Sequence, residues 1–435
     1  MISQIIFTVI LTGSILWFLS SLKKIRDNIF LGKKVTVKGE VKERLKIMAR
    51  VALGQGKMFT RPVAGLLHLI VYLGFLIVNI EMLEIVIDGV AGTHRVLSFM
   101  GGFYDFLIAS FEFFAVAVII ACIVFLIRRN ILKIKRFHNP EMTKWPKTDA
   151  NLILIFEILL MTAFLTMNAA DSLLQQLNAE HYVKAGAFPF SSFLHPLFSG
   201  FDTQQLIIVE RSAWWFHIIG VLLFLNYLPI SKHFHIIMAF PNTYFSKLEP
   251  KTALDNLEAV TREVKLMLDP NANPYEAPAS NEQPGRFGAK DVTDLNRIQL
   301  LNAYTCTECG RCTSVCPANI TGKKLSPRKI MMDVRDRMEE LGKHKRQHGN
   351  VDDGKALIRD YISEEEIFAC TTCNACSEIC PVNIDPVSII IDLRRYLVME
   401  ESKLPQEWTT MLTNIENNGA PWQFSMNDRL NWVNE

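Results

Sequence analysis

CTECGRCTSVCPANI at 306–320 returns, with the same cysteine spacing, as CTTCNACSEICPVNI at 370–384. Each copy reads C-x2-C-x2-C-x3-C-P, and together they hold eight of the nine cysteines in the chain. Three thiolates spaced by two residues can wrap one corner of an iron–sulfur cubane, while the fourth, turned away at Cys-Pro, reaches the neighbouring cluster. The spacing therefore predicts two [4Fe–4S] clusters with crossed ligands: Cys306, Cys309, Cys312 and Cys380 for one, and Cys370, Cys373, Cys376 and Cys316 for the other. A zinc site would use two C-x2-C pairs and leave four cysteines idle. After each copy a capping residue and a proline open a helical pattern. Ser326-Pro327 leads to Ile330, Val334, Met338 and Leu341 on one face; Asp385-Pro386 leads to Ile389, Ile390, Leu393 and Leu397. Residues 290–400 are thus expected to form a small, pseudo-symmetric helical domain.

Towards the N-terminus the composition changes. Apolar runs near 4–20, 63–87, 104–127, 150–168 and 210–230 approach the roughly 20 residues that span a bilayer core. The expected fold class is all-α: a five-helix transmembrane bundle over 1–240, a linker over 241–289, the cluster domain, and a C-terminal tail over 401–435 for partner docking. The linker reading rests on LDPNANPYEAPASNEQPGRFG at 268–288, which has little to bury. The segments after the first and third runs carry 12 and 7 Lys and Arg, whereas the other two loops carry only Arg95, Lys184 and Arg211. By the positive-inside rule the N-terminus lies outside and the cluster domain in the cytoplasm of a prokaryotic inner membrane, where disulfides are disfavoured. The first run lacks a preceding basic residue and a small-residue cleavage site, so it is read as a span, not a secretory signal. Val41, Leu45, Met48 and Ala52 recur at helical spacing among basic residues, which predicts a helix lying on the membrane surface. Cys122, alone in the third run, reads as a packing residue.

Ligating and ionisable groups inside a membrane are functional candidates by default. His68 lies in the second run. His217 and His235 are 18 residues apart, five full turns if one helix runs on to about 236, so both would share a face about 27 Å apart, with His233 on another face. Glu81 and Glu112 fall towards the outer half, and Glu157 towards the inner half. Quinone chemistry moves two protons with two electrons and needs such acids beside the ring, so a quinone pocket is expected near His217 and Glu112, with Glu81 at the same depth.

The paired motifs, with their CPANI and CPVNI turns, resemble the C-type subunit of heterodisulfide reductase and its relatives in anaerobic glycerol-3-phosphate dehydrogenase and lactate-utilisation proteins. The resemblance covers roughly 290–400 and implies electron relay. WWFHIIGVLLFLNYLPISKHFHI, at 214–236, resembles the last helix of the respiratory nitrate reductase gamma subunit. That family carries two b haems, each between a histidine of helix two and one of helix five. The resemblance implies one haem between His68 and His235, which share a depth. At the outer position this sequence departs from the family, offering Val78 and Asn79. A second haem on His217 would need Met82 or His94 as its other ligand, or His217 faces a quinone instead.

IENNGAPWQFSMNDRLNW at 415–432 resembles the segment that leads into cysteine-rich CCG domains in longer fused relatives. The chain stops at Glu435 before such a domain, which implies docking to a separate CCG-type subunit or to an electron-transfer flavoprotein system. No nucleophile motif, phosphate loop or dinucleotide fingerprint is present, and no nucleic-acid partner is expected. The reading is a membrane electron-transfer subunit joining the quinone pool, haem b and two clusters to a cytoplasmic partner. The alternative is a non-catalytic scaffold or redox sensor that recruits a partner through its clusters. A transporter would show internal helix repeats, which the five runs lack.

Overall fold

The computed structural model describes residues 1–270 and 286–434. The five apolar runs become α1 (Ile2–Ile29), α3 (Pro62–Ala91), α4 (Gly102–Asn130), α5 (Trp145–Gln176) and α6 (Thr203–Tyr227), all long and apolar enough to cross a membrane. Their ends follow local chemistry. Proline at the first position opens α3, and Asp202 with Gln205 forms a reciprocal capping box at the start of α6. The bundle core centres on α5 and packs Ile108, Phe111, Phe164 and Ile218 almost completely against neighbouring helices; in a bilayer, van der Waals packing and interhelical hydrogen bonds hold such contacts together.

The fifth span does not run on to 236. It stops at Tyr227, continues as a tight turn over Leu228–Ile230, and becomes extended at Ser231, whose hydroxyl accepts from the His233 backbone N–H. Pro229 has no N–H to donate and its ring crowds the preceding turn, so the helix breaks. A new helix, α7 (His235–Tyr244), begins at His235. The five-turn, single-face argument linking His217 to His235 therefore fails, and so does the placement of His233 on another face.

Between α1 and α3, α2 (Val41–Met48) forms where amphipathic spacing predicts a helix and ends in a wider turn, Ala49–Leu53. It packs on α7 through Arg44, which is buried and donates to the Tyr244 and Ser246 carbonyls at 2.9 and 3.1 Å. Val41 and Leu45 face outward instead. α8 (Glu258–Leu268) follows, and most of the proline-rich 268–288 stretch lies outside the described residues.

The C-terminal half is helical too; among the described residues there is no strand, only isolated bridges such as Lys33↔Asn296. α9 (Arg297–Thr305), capped by Asn296, leads into the first cysteine repeat. Helix Pro327–His348 buries Ile330, Val334, Met338 and Leu341, and helix Pro386–Arg395 buries Ile389, Ile390 and Leu393. This half docks on the bundle end where α1, α4 and α6 finish and α3 and α5 begin. Asn28 donates to the Tyr304 hydroxyl at 2.8 Å and accepts from Arg346 at 2.8 Å, and the Lys33 N–H donates to the Leu295 carbonyl at 2.8 Å. Beyond 400, helix Gln406–Asn418 rests Trp408 against Phe368 and leaves Met411, Leu412 and Ile415 exposed.

Candidate functional site

The two cysteine loops adopt one backbone design. Glu308 and Gly310 in the first, and Thr372 and Asn374 at the equivalent places in the second, all have positive φ. These left-handed turns curl each loop so that its first three thiols converge. Cys316, Cys370, Cys373 and Cys376 line one small cavity, which joins the fourth cysteine of the first repeat to the first three of the second. Cys312 in turn lies within electrostatic reach of Cys306, Cys309, Cys380 and Cys376. Cys316 thus lies with the first three cysteines of the second repeat, the placement a crossed ligand set requires. Burial pushes the Cys306 and Cys376 thiols up to about 12 and Cys312 well above its usual range. Without iron these cysteines hold their protons, and metal binding must displace them. Backbone N–H groups of Thr372 and Ile384 donate to the Cys370 and Cys380 sulfurs at 3.4 and 3.3 Å, contacts of the kind that tune cluster potential.

The surroundings of the two loops differ. Around the first, Arg311 donates to the Lys57 and Met58 carbonyls and the Thr60 hydroxyl at 3.1–3.2 Å, in the segment that enters α3. Arg61 donates to the Ser314 hydroxyl at 2.6 Å, and Arg136 and Arg311 both lie within charge range of Cys309. Glu308 is buried between Lys232 at 2.5 Å and Arg335 at 2.8 Å. Burial alone would raise its carboxyl, but the two cations hold it below the usual range. The fully buried Arg328 meets Glu141 at 2.7 Å and the Arg136 carbonyl at 2.7 Å. The second repeat leaves Cys373 exposed and is held through its main chain: Lys57 donates to the Glu378 carbonyl at 2.9 Å, Lys251 to the Ser377 carbonyl at 2.7 Å and Asn242 to the Val382 carbonyl at 2.7 Å.

Directly beyond the first loop sit the histidines. His68, one and a half turns into α3, and His235, at the start of α7, face each other with ring centres 6.3 Å apart and planes tilted by 47°. The His235 Nδ1 is 3.1 Å from the Lys232 carbonyl, so it donates and leaves Nε2 with its lone pair free. The His68 Nδ1 is buried without a partner. The His233 ring joins the group, 5.5 Å from His235, and burial beside His235 and His68 lowers its imidazole to about 3. The His68 and His235 rings thus lie side by side, although the single helix expected to carry both His217 and His235 is broken.

His217 stands apart. It is buried, its Nδ1 lies 2.9 Å from the Leu160 carbonyl, and its ring neighbour is Phe164 at 6.0 Å. His94 has both nitrogens occupied, by Asp171 at 3.2 Å and by the Val183 N–H at 3.2 Å, and so cannot serve His217 as a second axial partner. Glu112 has no free oxygen: it accepts from Asn168 at 3.2 Å, from the Phe190 and Ser191 N–H groups at 2.8 and 3.1 Å, and from the Ser191 hydroxyl. Glu81 is buried, and its Oε2 has no partner. Sequence reading missed Lys57, Arg61, Lys232, Glu308 and Arg311. The readable signal was charge inside the first cysteine repeat, at Glu308 and Arg311, where the second has Thr372 and Ala375.

Residues 305–384 match the family model of a 4Fe-4S dicluster domain. Over its whole length the chain is 30% identical to the probable iron-sulfur-binding oxidoreductase FadF of Bacillus subtilis (strain 168), covering 61% of that protein. It is 26% identical, over 96% of its length and 60% of the relative's, to the EtfAB:quinone oxidoreductase of Syntrophomonas wolfei. A shorter stretch, 34% of this chain and 24% of the relative, is 33% identical to the probable membrane-anchored ferredoxin of Chromohalobacter salexigens. The chain spans about three fifths of the length of the first two relatives. No solved structure matches it. The chain thus carries a dicluster iron–sulfur domain on a bundle of membrane-type helices, and it is similar to iron–sulfur electron-transfer oxidoreductases.

Proposed function

We propose that this chain relays electrons between a membrane quinone pool and a soluble redox partner, through one b haem held by His68 and His235 and two [4Fe–4S] clusters. The observation that carries the reading is the facing pair of imidazoles at 6.3 Å, set against the loop that bears Cys309 and Cys312. Two imidazoles bound to one metal at about 2 Å per bond stand about 6 Å apart between ring centres. The hydrogen bond from His235 Nδ1 to the Lys232 carbonyl is the outer contact that orients such a ligand. His68, with a buried unpartnered nitrogen, is the polar orphan that a ligand to be bound would explain.

When bound, haem and clusters supply one-electron redox chemistry and nothing else. The protein residues set the order. Cys306, Cys309, Cys312 and Cys380 hold the cluster nearer the histidines, because Arg311 ties their loop to the segment entering α3. Cys370, Cys373, Cys376 and Cys316 hold the farther cluster, where exposed Cys373 faces the partner. The cationic collar of Lys57, Arg61, Arg136 and Arg311 favours the more negative, reduced state of the nearer cluster. With the basic loops inside, the cluster domain is cytoplasmic. Its partner is an electron-transfer flavoprotein, as the Syntrophomonas relative's name implies for that protein, or a CCG-type iron–sulfur protein. Redox titration tests the reading: a b-type spectrum that vanishes in His68→Ala, with both clusters retained, is the expected result. An unchanged spectrum in that variant excludes the ligand assignment.

A further inference from the structure

At the bundle end opposite the cluster domain, a cavity of about 540 Å³ opens between the start of α1, the ends of α3 and α5, and the start of α6. Its size lies within the range of small-molecule sites. Three of the carboxylates in its lining are satisfied by neighbours. Glu84 accepts from the Leu97 N–H and the Tyr104 hydroxyl, Asp171 from Arg95 and His94, and Glu210 from Tyr182 and Arg211. Glu81, only 2% exposed, keeps Oε2 without a partner. A buried polar atom left so is costly, and in a cavity wall it marks where a ligand group bonds.

Part of the lining is aromatic. Phe7 and Trp214 lie 5.5 Å apart, and Phe7 rests on Gly89, where a Cβ would meet the Phe7 ring at 2.6 Å. Between Phe7 and Ile25, α1 buries no residue, and it meets α6 there at Ser14, which bonds to the Leu222 carbonyl and accepts from Asn226.

We propose that this cavity is the quinone site, that the ring packs against Phe7 and Trp214, and that Glu81 exchanges its proton. The proposal rests on the relay reading above. It moves the site away from Glu112 and His217, neither of which lines the cavity. In the oxidative direction the quinol breaks two O–H bonds and loses two electrons to the relay, one at a time. Glu81 receives each proton in turn and passes it to solvent through the open cavity; reduction reverses every step. Glu81 touches the reacting oxygen, and Arg95, fixed by Asp171, Tyr104 and Asn168, supplies a fixed positive charge that favours the carboxylate.

Two measurements on the detergent-purified full chain test it. In a titration with the fluorescent quinol analogue HQNO, Glu81→Gln is expected to weaken binding at least tenfold, and Glu81→Asp to recover part of it. With duroquinol as donor, Glu81→Gln should slow haem reduction at least tenfold, although dithionite still reduces the haem fully. Wild-type HQNO affinity and rate in Glu81→Gln would overturn the site. A wild-type chain whose haem is reduced by dithionite but never by duroquinol would overturn the relay reading itself, and the site with it.

Discussion

The two cysteine repeats share one backbone and differ in what surrounds it. In the first, Glu308 and Arg311 occupy variable positions and reach across to Lys232, Arg335 and the 57–60 segment. In the second, Thr372 and Ala375 occupy the equivalent positions, and Cys373 meets solvent. Both repeats touch the bundle end, the second through main-chain contacts such as Lys57 to the Glu378 carbonyl at 2.9 Å and Asn242 to the Val382 carbonyl at 2.7 Å, the first through the buried charged side chains of Glu308 and Arg311. The ligand spacing is common to both repeats, whereas the residues between the ligands set how each repeat is held.

The comparison breaks most severely at the crossed cysteines. Cys380→Ala is expected to remove the cluster of the first repeat, and Cys316→Ala that of the second, each read as the loss of one signal in EPR of the reduced protein. Loss of the opposite signal in either variant would undo the crossing.

Removing one partner of a buried ionic group costs about 3–5 kcal/mol, because the remaining charges are stranded. Glu308→Ala leaves Lys232 and Arg335 facing each other and should lower unfolding stability by that amount, measured by denaturant titration. Thr372→Ala at the equivalent place should change it by less than about 0.5 kcal/mol. Equal effects would mean that the first loop is not fastened by its charge.

The glycine offers a finer comparison. Gly310 has φ +70°, and a Cβ there would meet the Arg328 guanidinium at 2.5 Å, an arginine already fixed by Glu141 and the Arg136 carbonyl. Gly310→Ala should cost about 2 kcal/mol from strain and overpacking together. Asn374, also left-handed, should tolerate glycine with a loss below about 1 kcal/mol. Melting temperatures of the two variants give the contrast.

The smallest effect is in pH. The Glu308 carboxyl is held below its usual range in the folded chain, so its stabilisation is complete above the unfolded value of about 4.3 and is lost as pH falls through the lowered folded value. The stability difference between wild type and Glu308→Gln, followed by tryptophan fluorescence, should be flat above about pH 5 and shrink below 4. A difference that grows on acidification would reverse the sign of the argument.

Much of this was legible in the sequence because it is local. Five apolar runs long enough to span, and two capped helices each following a cysteine repeat, depend on neighbouring residues, and the folded chain has them. The shared depth of His68 and His235 was legible. The geometry around them was not: Pro229 ends the helix, and the Lys232–Phe234 turn brings the His233 ring beside His235. The collar of Lys57, Arg61, Arg136 and Arg311 comes from three separate loops, so no window of sequence brings it together. Glu112 and Glu81 looked alike as lone acids in apolar runs. They differ because the 186–191 segment folds in to satisfy Glu112, a long-range event without a local signature.

The central claim is that His68 and His235 hold one haem beside the first cluster. Pyridine haemochrome assay set against cluster iron in the purified chain tests it most directly. The account predicts one b haem for each pair of clusters, lost in both His68→Ala and His235→Ala and kept in His217→Ala, with cluster iron unchanged throughout. A chain with both clusters intact and no b-type haem, or one that loses its haem only in His217→Ala, would contradict it.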